Sequence, residues 1–124
     1  MLNKFALAAA ALMISAVPAL AASPCDEPYA PAALNGATAT EAQMKGAHDD
    51  VMTFMKASDD YQSCLLDDLK NQQQEAAKAK DPKPLDQSII DGVNKQIDAN
   101  QRMKEKVGGE YNAAVHAYKA AHPG

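Results

Sequence analysis

The stretch that decides the fold is "KDPKPLD", residues 80–86. Pro82 and Pro84 remove backbone donors and push the residues before them out of the helical region, so no helix runs through this point. On both sides the chain reads as helix. Upstream, Met44, Ala47, Val51, Phe54 with Met55, Ser58, Leu65, Leu69 and Ala76 fall on one broad face at 100° per residue. Downstream, Asp86 is placed to cap a second helix whose face is Ile90, Val93, Ile97, Gln101, Lys104, Gly108, Tyr111, Val115 and Tyr118. The expected fold is therefore all-α: an antiparallel two-helix hairpin, coiled-coil-like, with helix one over about 40–79, a turn over 80–86 and helix two over about 87–121.

Helix one has two possible capping boxes at its start, Thr38 with Glu41 and Thr40 with Gln43, just after an Asn35-Gly36 turn. The second face is weaker in its middle, where Gln101 and Lys104 interrupt it and Gly108-Gly109 costs roughly 1 kcal/mol per glycine against alanine. Centring the turn on Pro82 to Pro84 sets Ser58 opposite Gly108 and Val51 at the level of Ala114 and Val115. Two small residues face to face give the glycines a use, since backbones approach closely there.

The chain ahead of the hairpin divides in two. Residues 1–21 carry Lys4, an apolar run of 13 residues from Phe5 to Val17, and Pro18 ahead of Ala19-Leu20-Ala21, the layout of a cleavable secretory signal. A bilayer-crossing helix needs about 20 apolar residues, so this run is read as a leader and the mature chain as periplasmic. Pro24, directly before Cys25, does not suit a lipoprotein signal. Residues 22–39 then form a proline-rich arm containing "SPCDEPYAPA", residues 23–32.

The only cysteines are Cys25 and Cys64, and an oxidising compartment favours their pairing. Geometry permits it. Cys64 lies about 36 Å along helix one from Thr40, and the 15 steps from Cys25 to Thr40 reach about 46 Å in a polyproline conformation. The arm is thus expected to run back along helix one as an extended strap, with Tyr29, Ala30, Ala32 and Leu34 covering apolar surface. Closing this 40-residue loop contributes roughly 4 kcal/mol in the chain-entropy account. A lone pair of long helices buries little surface, so that contribution offsets a real deficit.

Charge excludes some partners. The 124 residues carry 12 basic and 16 acidic side chains; without residues 1–21, whose only charge is Lys4, the balance is 11 against 16. An acidic chain with no basic stripe does not suit nucleic acid or an anionic membrane surface. No further apolar run is long enough to span a bilayer.

Motifs for chemistry are few. There is no C-x-x-C, no haem-attachment motif, no glycine-rich phosphate loop, no nucleophile elbow, and no zinc or calcium spacing, so neither an enzyme nor a cofactor is expected. One constellation bears weighing. "MKGAHDDVM", residues 44–52, sets Met44, His48 and Met52 along one side of helix one, and the antiparallel register brings His116 to their level. Thioether and imidazole together suit Cu(I). The plainer reading is methionine filling a seam, with histidines in water at its edge. The backs of the helices, with Asp49, Asp60 and Asp67 on one and Lys95, Arg102 and Lys106 on the other, read as solvated faces or as charges that orient association between copies.

"NGATATEAQMK", residues 35–45, followed by "YQSCLLDDL", residues 61–69, resembles a group of small uncharacterised exported helical proteins of Gram-negative bacteria. Their pattern is a cysteine in a proline-rich start, an N-G-x-T-x-T helix start and a Y-x-x-C inside a long helix. The matching positions are Cys25, Asn35, Gly36, Thr38, Thr40, Glu41, Met44, Tyr61 and Cys64. The resemblance covers about residues 25–69; it implies an exported hairpin and no substrate. The L-T-x-x-Q repeats of the envelope-stress chaperones are missing. The expected role is structural or protein-interacting, with a second copy completing a four-helix bundle or another envelope protein as partner. The alternative is a copper or small-ligand binding protein.

Overall fold

The computed structural model of the protein describes residues 24–124. The expected leader, residues 1–21, lies outside the described residues. Two long helices, α1 (Glu41–Lys78) and α2 (Gln87–Ala121), pack against each other as an antiparallel hairpin.

Helix α1 starts at one of its two candidate boxes. The Thr40 hydroxyl accepts the Gln43 amide at 3.1 Å and the Gln43 side-chain oxygen accepts the Thr40 amide at 2.8 Å. Thr38 is instead used in the preceding turn, where its amide and hydroxyl both donate to the Asn35 carbonyl, at 3.3 and 3.4 Å. The helix ends at Lys78 as Ala79 turns extended, three residues ahead of Pro82. Asp86 caps α2, accepting the Ser88 amide at 2.9 Å, a bond that holds its carboxyl below the usual aspartate value.

Between the helices the packing repeats every seven residues. On α2 the buried residues are Val93, Asn100, Val107 and Ala114, and half-buried Ile90, Ile97, Lys104, Tyr111 and Tyr118 alternate with them at steps of three and four. This is the seam of a two-stranded coiled coil. It corrects the face expected at 100° per residue, because Asn100 and Val107 are buried where Gln101 and Gly108 were expected. A straight 3.6-residue period drifts off a 3.5-residue seam by about 20° per heptad, enough over 35 residues to choose the neighbouring position.

The register differs too. Ser58 meets Asn100, whose side-chain amide donates to the Ser58 hydroxyl at 3.2 Å and whose oxygen accepts from Gln62 at 2.8 Å. Gly108 does not face Ser58. A Cβ built there lies 3.5 Å from the Met55 Cε, ordinary contact, and one at Gly109 meets nothing. Lys104, expected to interrupt the face, lays its stem along the seam, with its side chain 18% exposed, and its ammonium reaches Asp59 on α1.

The third layer is the strap. Cys25 and Cys64 are joined by a disulfide with Cα atoms 5.7 Å apart. Burial along the strap repeats every three residues: Cys25, Pro28, Pro31 and Leu34 turn inward while Tyr29, Ala30, Ala32 and Ala33 are exposed. That is the repeat of a polyproline II helix, three residues per turn. Tyr29, expected to cover apolar surface, is 98% exposed, since it sits one residue off this repeat. At one end Cys25 joins Tyr61, Leu65, Leu69 and Val93 in a core cluster. At the other, Leu34 packs on a second cluster of Ala39, Met44 and Ala114. Gly36 touches α2 so closely that a Cβ would stand 1.8 Å from the Ala114 carbonyl oxygen. The strap therefore lies against both helices rather than along helix one alone.

Candidate functional site

The strap and the disulfide divide the hairpin into two flanks. Cys64 is on one; Gln62, about 200° away around α1, is on the other. On the open flank Gln62 also donates to the Gln101 side-chain oxygen at 3.3 Å, and Asp59 pairs with Lys104.

The four residues of the sequence-predicted metal constellation are spread over this frame. Met44 is buried between the helices in the cluster with Ala39 and Ala114, against which Leu34, Tyr111, Val115 and Tyr118 also pack. One turn on, His48 is exposed, its Nδ1 3.4 Å from the Asp49 carboxylate and its ring 5.9 Å from that of Tyr111. Met44 and His48 share a shallow hollow with Glu41, Lys45, Asp49 and Tyr111. Met52 and His116 are exposed and are not in its lining. Among the described residues no three His, Cys, Asp or Glu side chains are placed to hold a metal ion together. Tyr111, the aromatic neighbour of His48, was legible only as a seam residue.

Two acids of α1, Asp60 and Asp68, are committed to residues on the same helix. Lys56 reaches Asp60 at 2.6 Å and Gln72 reaches Asp68 at 2.8 Å, each one turn away. Exposed pairs of this kind contribute little to stability. Asp60, Asp67 and Asp68 also surround the outer side of Cys64, together with Pro24 and Ser63.

What the helical wheel did not single out is a set of exposed apolar side chains. Met52 is 56% and Leu66 52% exposed, and they are fourteen residues apart on α1, two heptads, hence on one column. Leu66 is one turn beyond Gln62 and Met52 one heptad before Asp59, which puts the column on the flank away from the strap. On α2, Ile89 and Met103 are exposed at the same fourteen-residue spacing. Among the described residues no helix is long and apolar enough to cross a membrane. No family model, curated protein or solved structure matches this chain.

Proposed function

We propose that this chain is a non-enzymatic exported protein of the periplasm with a structural or protein-interaction role, and that its first partner is a second copy. The observation that carries the reading is the Met52 and Leu66 column, two large apolar side chains left in water at heptad spacing beside a two-stranded seam. Two such hairpins pairing on this flank make a four-helix bundle, the common way for helical faces to be covered. The disulfide supports the export half of the proposal, since such bonds persist in oxidising compartments.

Sedimentation of the oxidised chain at about 50 μM tests the self-association, a concentration at which even micromolar affinity fills the dimer. A dimer that falls to monomer when Met52 and Leu66 are both changed to lysine supports it. A monomer of the unchanged protein ends it, and crosslinking in the native envelope then identifies any other partner. The competing reading, Cu(I) on Met44, His48, Met52 and His116, draws support from the hollow that the first two share. Titration of Cu(I) against a competing chelator decides it: binding no tighter than about micromolar removes the copper proposal.

A further inference from the structure

On the strap side, a hollow of about 390 Å³ opens where the strap crosses both helices, over apolar walls from Pro31, Leu34, Val51, Val107 and Tyr111. That volume lies within the range of small-molecule sites. One residue of its lining calls for explanation. Gly46 sits inside α1, where glycine costs about 1 kcal/mol against alanine, yet a Cβ built on it meets nothing within 4 Å. No neighbour requires this glycine, and the space left by its missing side chain belongs to the hollow.

Charge defines what fits. Asp50 from α1 and Glu110 from α2 both line the hollow. Lys106 pairs with Glu110 at 2.8 Å, one turn away, while among the described residues no ion pair engages Asp50. The remaining polar side chain, Gln43, has its oxygen committed to the cap of α1. The hollow thus offers apolar walls, an aromatic ring and one carboxylate, Asp50, that no ion pair among the described residues engages. We propose that it binds a small organic monocation with a compact apolar body, the class of an arylalkylammonium, with the ammonium at Asp50 and the body against Pro31, Leu34, Val51 and Val107. The Tyr111 ring adds a cation–π surface. This site is separate from the Met52 and Leu66 flank, and it shares only Tyr111 with the hollow at His48.

Phenethylammonium, its neutral counterpart ethylbenzene and the anion 3-phenylpropanoate serve as probes, followed by amide chemical shifts of the oxidised full chain. Saturable shifts at Gly46, Val51 and Val107 with phenethylammonium, at about millimolar or tighter, are expected, with the anion at least tenfold weaker. Gly46→Leu fills the space and should abolish these shifts while the melting temperature stays at or above that of the unchanged protein. Asp50→Asn, an exposed change that leaves packing alone, should weaken phenethylammonium about tenfold and leave ethylbenzene unaffected. No saturable shifts, equal affinity for cation and anion, or binding indifferent to both substitutions would each overturn the assignment.

Discussion

Gly36 and Gly109 show how differently one residue type is used. Gly36 is buried against the Ala114 carbonyl, closer than any side chain permits, and its φ is not positive, so the requirement is space rather than backbone conformation. Gly109 is inside α2 with open space before it. Gly36→Ala is therefore expected to cost about 1–3 kcal/mol as the strap lifts from α2, and Gly109→Ala to add up to about 1 kcal/mol, both read from urea denaturation of the oxidised protein. Asn100 is the other residue that the fold depends on. It is 2% exposed and bonded to Ser58 and Gln62 across the interface. Asn100→Ala strips Ser58 of its partner and should cost about 2–3 kcal/mol. Replacing the pair by Ser58→Ala with Asn100→Leu should recover or exceed the original stability, because a polar pair in a seam contributes specificity more than stability. The same double variant should show more than one set of amide resonances, as the register loses its marker.

At the level of elements, the seven-residue repeat of α2 makes a sharp contrast between neighbours. Val107, 3% exposed, should lose about 2 kcal/mol on truncation to alanine, whereas Gln101→Ala should stay within about 0.5 kcal/mol, measured as urea midpoints at constant slope. The hairpin itself was legible because its signals are local: two prolines stop one helix, Asp86 starts the next, and Thr40 with Gln43 closes a cap within three residues. The face of α2 was only half legible. Its seam is set by the partner helix, and Asn100 gives no sign in the sequence that Ser58 and Gln62 wait for it 42 and 38 residues away. The strap's reach to Cys64 was legible from length and prolines, but its contact with α2 and its inward side were not, since a three-residue repeat passes over the large residue, Tyr29. Of the candidate site, Met44 and His48 come together because one helical turn separates them, while Met52, two turns along, has rotated onto the exposed flank and His116, on the partner helix, faces water.

Over the whole molecule the disulfide and the strap act as one unit, and reduction is the direct probe. Breaking Cys25–Cys64 opens a loop spanning 39 positions and should lower stability by roughly 4 kcal/mol, seen as a large fall in melting temperature on adding reductant or in Cys64→Ser. Strap docking also has a pH signature. Burial of Tyr61 beneath the strap, and then the nearby Glu27 carboxylate, push its phenol above the ordinary value of 10.0. The folded state thus holds this proton longer than the unfolded one, so its stability is undiminished below about pH 10 and declines as pH rises toward the folded value. Tyr61→Phe should flatten that alkaline decline in a melting series. The sulfur bridge also fixes how the molecule bears load. Pulled from its two ends, the oxidised chain carries tension from Cys25 straight across to Cys64, and the strap and the first two thirds of α1 are never stretched. Cutting the bridge releases those 39 steps and lengthens the fully extended chain by roughly 130 Å.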